Sequence, residues 1–165
     1  MDKSYLHVLV NNIRGLTKIL ENDLEKAAEN IGLTASEHHI LCIVFVEKEI
    51  TMSEIAEVGL LDISTVMQVI KRLIEKGFVQ TAKKETDRRI TYVTPTDKGE
   101  ALHRQSFSDT YLLFNYIEDK LERSTERDHE QTTYFLQFLK EVNEDFHGSE
   151  YVHWIHRSQK IIDVE

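Results

Sequence analysis

The fold is decided by residues 62–77, which read DISTVMQVIKRLIEKG. Apolar side chains recur in this stretch every three or four positions, which is the spacing of one face of an α-helix. Asp62 can cap the start of such a helix and Gly77 can end it, so the pattern predicts a helix over 62–76. The side expected to pack on the core carries Ile63, Val66, Met67, Ile70, Leu73 and Ile74.

The opposite side of this helix is polar and is expected to face solvent. Its residues are Ser64, Thr65, Gln68, Lys71, Arg72 and Glu75, with Val69 on the flank. These groups suit the edges of DNA bases, because Gln pairs with adenine, and Arg or Lys with guanine or phosphate. Val69 could touch a thymine methyl group. Taken alone, the same face would also fit an ordinary solvated helix.

The residues before this helix predict two further helices. Thr34-x-x-Glu37 and Thr51-x-x-Glu54 both have the pattern of a capping box. The first opens an apolar helix over about 36–48, and the second opens a short helix that ends at the turn 59–61. A short helix, a glycine-containing turn and an amphipathic helix together predict a helix-turn-helix.

The residues after Gly77 change to the pattern of β-strands. Residues 78–82 and 90–94 are rich in β-branched and aromatic side chains, and they flank a charged loop, so they predict a hairpin closed by Pro95. The hairpin tip contains Asp87, Arg88 and Arg89. A long arginine at such a tip can enter the electronegative minor groove. Asp87 is expected to hold Arg89 through a carboxylate–guanidinium pair, the alternative being a surface ion pair of little energetic value.

Charge is distributed unevenly along the chain. The 165 residues carry a formal net charge of −9, which by itself disfavours nucleic acid. Between Gln68 and Thr91, however, seven cations face three acids, so this window is net +4 and the remainder is −13. The distribution therefore predicts an acidic molecule that could bind DNA through one basic strip.

The flanking regions predict long helices. One apolar stripe over 4–31 comprises Leu6, Leu9, Ile13, Leu16, Leu20, Leu24, Ala27 and Ile31. So narrow a stripe on a long helix suggests packing against other long helices, including those of a second chain. After Pro95, Thr96 is expected to cap a helix over about 97–123. A further helix over about 127–146, a break at Gly148 and Ser149, and a last helical segment follow.

Several short motifs in residues 32–100 resemble those of the MarR family of winged-helix transcription regulators. They are Ser53-Glu54-Ile55-Ala56, Ser64-Thr65-Val66, Ile70-Lys71-Arg72-Leu73-Ile74-Glu75-Lys76-Gly77, Asp87-Arg88-Arg89 and Thr94-Pro95-Thr96-Asp97-Lys98-Gly99. Glu37-His38-His39-Ile40-Leu41 is similar to the Hpr (ScoC) type within that family. Pro95 departs from the family, many members of which carry leucine there.

The resemblance implies a mainly α fold, a winged helix-turn-helix with long N- and C-terminal dimerisation helices. Residues 1–31 and 97–165 would form the dimerisation regions, and 32–96 the DNA-binding domain. A homodimer would bind a palindromic operator and act as a repressor, with helix 62–76 in the major groove and wing 83–90 in the minor groove. The expected DNA contacts are Ser53, Ser64, Thr65, Gln68, Val69, Lys71, Arg72, Lys83, Lys84, Arg88 and Arg89, with Asp87 orienting the wing.

Other functions find weaker support in the sequence. No phosphate loop, nucleophile elbow or His-Glu-x-x-His pattern is present, so no enzyme, catalytic residue or cofactor is predicted. Glu150, His153 and His156 could share a helix face and hold a metal, but exposed or interface histidines are the preferred interpretation and no metal is predicted. The later aromatic residues could line a small-molecule pocket, although core and dimer interface explain them better. An effector is therefore possible but not implied.

The sequence also bears on the cellular compartment and leaves one alternative function open. Cys42 is the only cysteine and lies in an apolar segment, so it is interpreted as a small buried hydrophobe in a protein of the reducing cytoplasm. No apolar run approaches the ~20 residues of a membrane span, and the N-terminus lacks the pattern of a signal peptide. A winged helix that acts as a protein-interaction module through its acidic surface remains the alternative.

Overall fold

The sequence folds into a winged helix carried between long helices. In the computed structural model, residues 2–85, 87–106 and 111–162 are described. The elements are α1 (Lys3–Asn30), α2 (Ala35–Glu47), β1 (Ile50–Thr51), α3 (Met52–Val58), α4 (Ile63–Glu75), β2 (Val79–Lys84), β3 (Asp87–Pro95), α5 (Asp97–Ser106), α6 (Leu112–Glu122) and α7 (Glu126–Ile162). No described helix combines the length and the apolar character needed to cross a membrane.

The helix boundaries follow the predicted capping signals. Thr34 and Thr51 each begin a helix with a complete capping box. The threonine hydroxyl accepts a hydrogen bond from the backbone N–H of the glutamate three positions later, and the carboxylate of that glutamate accepts one from the threonine N–H. Gly77 ends α4 in the left-handed region with φ 75°, and the N–H of Phe78 donates to the Leu73 carbonyl at 2.9 Å. Asp62 occupies the N-cap of α4 as expected, but its side chain makes no capping hydrogen bond.

The predicted hairpin is part of a three-stranded antiparallel sheet with the order β1-β3-β2. β3 is the central strand, because Val93 faces Ile50 on one side and Thr81 on the other. Both hairpin strands reach further into the charged loop than predicted. The two-residue strand β1 was not predicted, because so short a segment shows no periodicity.

The core lies between α2, α3, α4 and the sheet. α4 contributes Val66, Val69, Ile70 and Leu73, all at most 1% exposed. The predicted placement of three other residues was wrong, because Ile63 is 46%, Met67 56% and Ile74 41% exposed. Apolar side chains spread over almost half of the circumference of α4. Their spacing alone therefore could not say which of them the neighbouring helices cover.

The start of α5 packs closely on Phe78, the residue that precedes β2. A Cβ atom on Gly99 would lie 2.0 Å from the Phe78 carbonyl oxygen, so only glycine fits there. Thr96 caps this helix as predicted, since its hydroxyl accepts from the Gly99 N–H at 3.1 Å. The same hydroxyl donates to the Gly77 carbonyl at 2.7 Å. Thr96 thereby links the start of α5 to the turn that follows α4.

The C-terminal region differs from the predicted helices in one respect. The helix expected over 97–123 is divided into α5 and α6, and residues 107–110 between them lie outside the described residues. α7 consists of two helical segments that meet at Gly148, whose φ of 83° and ψ of 167° are not helical. The predicted break at Gly148 is therefore confirmed.

Candidate nucleic-acid interface

The outward side of α4 is divided into three strips by the helical spacing of its residues. We call them the polar, apolar and cationic strips. The polar strip is central and consists of Ser64, Gln68, Lys71 and Glu75. The apolar strip lies along one flank and consists of Ile63, Met67 and Ile74. The cationic strip lies along the other flank and consists of Arg72 and Lys76.

The polar strip is open for an external partner. Ser64, Gln68 and Lys71 are exposed, and within the described ranges none of their side chains has a hydrogen-bond or ion-pair partner. Thr65 lies beside them and is half-buried. A helix that carries a hydroxyl, an amide and an ammonium group in this order offers donors and acceptors for base edges and phosphates.

The cationic strip, in contrast, is engaged within the molecule. The side chain of Glu37, on α2, is only 2% exposed, and its carboxylate accepts from Arg72 Nε at 3.1 Å and from Lys76 Nζ at 2.8 Å. The same carboxylate accepts from the N–H of Thr34 at 3.0 Å. One buried acid thus fixes the C-terminal half of α4 against the N-terminus of α2.

The Glu37 carboxylate is ionised in this arrangement. Burial by itself would raise the pKa of Glu37, but the hydrogen bonds from Lys76 and the Thr34 N–H, the charge of Lys76 and the bond from Arg72 outweigh it, so the pKa is lowered. Arg72 and Lys76 remain 45% and 38% exposed. The sequence did not reveal this contact, because Glu37 was already explained by its capping box and its partners lie more than thirty positions away.

The remaining predicted contacts lie on α3 and on the hairpin. Ser53 is exposed in the first turn of α3, and Lys83 and Arg89 are exposed on β2 and β3. Lys84 pairs with Glu49 and lies over the Tyr92 ring, 4.2 Å from its centroid. The hydrogen bond to Glu49, which outweighs the cost of desolvation, raises the pKa of Lys84.

Val69 and the tip of the wing differ from the other predicted contacts. Val69 was wrongly predicted to reach a base, because it is 1% exposed and packs in the core beneath the outward strips. The side chains of Asp87 and Arg88 lie outside the described residues, and so does the predicted pair between Asp87 and Arg89. The described part of the interface therefore consists of α4, the start of α3 and the hairpin residues Lys83, Lys84 and Arg89.

Away from α4, the long helices expose extensive apolar surface. The stripe of α1 is exposed at Leu6, Ile13, Leu16, Leu20 and Leu24, whereas Ala27 near its end is buried. Most aromatic residues of α6 and α7 are also exposed. The exposed fractions include Val8 58%, Leu16 51%, Phe114 53%, Tyr116 62%, Tyr134 79%, Leu136 59% and Phe146 80%. Monomeric proteins rarely leave apolar patches of this extent uncovered. These aromatic residues do not form the core of their own chain.

Cys42 lies between two buried histidines. Its Sγ is 3.6 Å from His38 Nε2 and 3.6 Å from His103 Nδ1. Burial raises the pKa of the Cys42 thiol to about 12, and burial followed by the charges of His38, Lys48 and Arg104 lowers the pKa of His103 to about 4. The thiol is therefore protonated and unreactive near neutral pH. Across the described residues, no group of three or more metal-binding side chains converges on one point.

Comparisons with known proteins agree with this architecture. Residues 33–91 match the model of the MarR family. The predicted resemblance is thereby confirmed for the segment that contains α2, α3, α4 and most of the wing. The likeness in fold extends to the flanking helices, because solved MarR-type structures align with over four-fifths of the chain.

Individual relatives extend the comparison. The chain is 40% identical over 89 residues to proteins named HTH-type transcriptional regulator Hpr from Bacillus mycoides (strain KBAB4) and Bacillus thuringiensis (strain Al Hakam). That match covers 54% of this chain and 48% of the relatives, so the chain spans about half the length of the curated relatives it matches.

The solved structures support the MarR-type fold. A mutant MarR from E. coli, complexed with operator DNA, has a TM-score of 0.66 and 20% identity, and the match covers 84% of this chain and 99% of that chain. FabT from Streptococcus pneumoniae, in complex with DNA, has a TM-score of 0.67 and 21% identity, with 83% and 98% covered. The predicted winged-helix fold class is therefore confirmed.

Proposed function

We propose that the chain is a transcription regulator that binds double-stranded DNA as a homodimer. The observation that carries this proposal is the open polar strip of α4. Ser64, Gln68 and Lys71 have no partner among the described residues, although the neighbouring cations Arg72 and Lys76 are both paired. Recognition helices of helix-turn-helix proteins read bases with side chains placed in this way.

The wing supplies a second contact in this proposal. Lys83 and Arg89 are exposed on the hairpin that follows α4 directly. Cations on a hairpin suit the minor groove, whose negative potential attracts them. The acidic remainder of the molecule would repel phosphates, so binding would be confined to α4, the wing and the start of α3. Two of the solved structures similar to this chain were determined with DNA.

The uncovered apolar faces support dimerisation. We propose that residues 1–31 and 97–165 pair with a second copy, leaving 32–96 as the DNA-binding domain. Two copies related by a two-fold axis would present two α4 helices about one helical turn apart, or ~10 bp. The operator would then be palindromic, and occupancy of a promoter in the cytoplasm would repress transcription.

Selection from a random DNA pool tests the proposal. The full-length protein should enrich a palindromic sequence, and its affinity should fall steeply with salt, with a slope of about −0.9 per neutralised phosphate. Lys71→Ala should weaken binding and lower that slope. Lys18→Ala is the matched control, because Lys18 is an equally charged and 66% exposed residue of α1. It lies two positions from both Leu16 and Leu20, on the side of α1 away from the apolar stripe, so its loss should leave dimerisation and DNA binding unchanged.

The rival function makes the opposite prediction. A protein-interaction module that acts through its acidic surface would not be retained on duplex DNA at low salt, and Lys71→Ala would have no effect there. Absence of both retention and enrichment would overturn the DNA-binding proposal.

A further inference from the structure

The apolar strip of α4 is left largely uncovered by the part of the chain that the structure describes. Met67 is 56% and Ile63 46% exposed, although both lie on the helix that supplies much of the core. The core side is already complete with Val66, Val69 and Ile70, which are at most 1% exposed. Met67 therefore leaves most of its side chain in water, at a position where a polar residue would serve the helix equally well.

The turn before α4 carries another exposed apolar side chain. Leu60 is 47% exposed and has a φ of 52°, in the left-handed region that leucine rarely adopts. Glycine or asparagine would fit that backbone better. Exposed apolar side chains thus occur at Leu60, in the turn, and at Ile63 and Met67, in the N-terminal half of α4. That half is the one that a recognition helix directs at base edges.

We propose that Met67, supported by Ile63, reads the 5-methyl group of a thymine in the major groove. The inference rests on the proposed function and assigns to the apolar strip the contact that Val69, being buried, cannot make. Met67 is one residue before Gln68 and four before Lys71, so its side chain borders the open polar strip. Thymine is the only DNA base that offers an apolar group in the major groove. A long, adaptable thioether side chain suits such a contact.

Replacing thymine by deoxyuracil removes that methyl group and leaves every hydrogen-bonding edge unchanged. The test uses the sequence enriched by the full-length protein, with each thymine of one half-site replaced in turn. For the unmodified protein, at least one replacement should weaken binding about fourfold, the equivalent of ~0.8 kcal/mol for one buried methyl group. For Met67→Ala, the same replacement should have an effect of less than about 1.5-fold.

Two variants keep the test specific. Met67→Leu retains an apolar side chain and should keep the sensitivity to deoxyuracil. Ile74→Ala, in the same strip but at the C-terminal end of α4, should keep it too. Because Met67 and Ile74 are exposed, the melting temperature of each variant should stay close to that of the parent protein.

The inference is overturned by three results. They are no sensitivity to deoxyuracil at any thymine, the same sensitivity in Met67→Ala as in the parent protein, or equal loss of sensitivity in Ile74→Ala. Enrichment of a sequence together with any of these would leave the proposed function standing. Failure to enrich any sequence would instead overturn the proposed function and this contact with it.

Discussion

The buried carboxylate of Glu37 allows a prediction with an unusual order of effects. Glu37 is 2% exposed and bonds Arg72, Lys76 and the Thr34 N–H, whereas the two cations remain 45% and 38% exposed. Removing Arg72 and Lys76 leaves the buried Glu37 carboxylate without a cationic partner, whereas neutralising Glu37 leaves two cations that water can solvate. We therefore expect the double variant Arg72→Ala/Lys76→Ala to be less stable than Glu37→Gln.

The magnitudes follow from the exposure of each partner. A hydrogen bond to a charged group contributes about 1.5–3 kcal/mol when it is buried, and exposed pairs contribute about 1 kcal/mol or less. With partners almost half exposed, Glu37→Gln should lower the free energy of unfolding by about 1–2 kcal/mol. The double variant should lower it by about 3 kcal/mol, because the carboxylate keeps only the Thr34 N–H.

Urea denaturation at pH 7 measures both values. Adding Glu37→Gln to the double variant should restore part of its stability, since the stranded charge is then absent. The lowered pKa of Glu37 means that its contribution is complete above the ordinary carboxyl pKa, about 4.3, and is lost as the pH falls through the lower folded value. If the triple variant were less stable than the double variant, the account of a buried charge held by two cations would be refuted.

Three other sites allow predictions of stability or binding. Gly99→Ala should lower the melting temperature strongly and reduce the free energy of unfolding by at least about 2 kcal/mol, because its Cβ would lie 2.0 Å from the Phe78 carbonyl oxygen. Gly15→Ala is the control and should not destabilise the chain, because a Cβ there would meet nothing within 4 Å. Burial lowers the pKa of His103 to about 4. The free energy of unfolding should therefore fall by up to roughly 3 kcal/mol as the pH drops from about 6.5 towards 4. Denaturation experiments at several pH values should show a weaker pH dependence for His103→Gln. Arg89→Ala should weaken operator binding in a gel-shift titration and leave the circular dichroism spectrum unchanged, and unaltered affinity would remove the wing from the proposed interface.

Most of the fold could be predicted because its signals in the sequence are local. Capping boxes at Thr34 and Thr51, the glycine at 77 and the change of period after it are each read within a few residues. Contacts between distant segments left no such signal. The bonds from Arg72 and Lys76 to Glu37, and the close approach of Gly99 to Phe78, became visible only in the folded chain.

The outward face of α4 illustrates the same limit. Its polar residues are exposed as predicted, except for Thr65, which is half-buried. Its apolar residues could not be divided into core and surface from their spacing. Val69 was expected at the surface and is buried, whereas Met67, two positions earlier, was expected in the core and is exposed. The reason is that α2 and α3 cover the side of α4 that is centred between Val66 and Val69. The rotation of a helix about its axis is set by the elements that pack on it, so it cannot be predicted from the sequence of the helix alone.

The central claim is that the open face of α4 reads DNA bases, and Gln68 tests it most directly. Selection from a random DNA pool should be carried out in parallel with the parent protein and with Gln68→Ala. We expect the variant to lose discrimination at one position in each half-site, with a cost there of about 1–3 kcal/mol, while preference elsewhere in the operator is retained. An equal loss of affinity for all sequences, or an unchanged preference at every position, would contradict the claim.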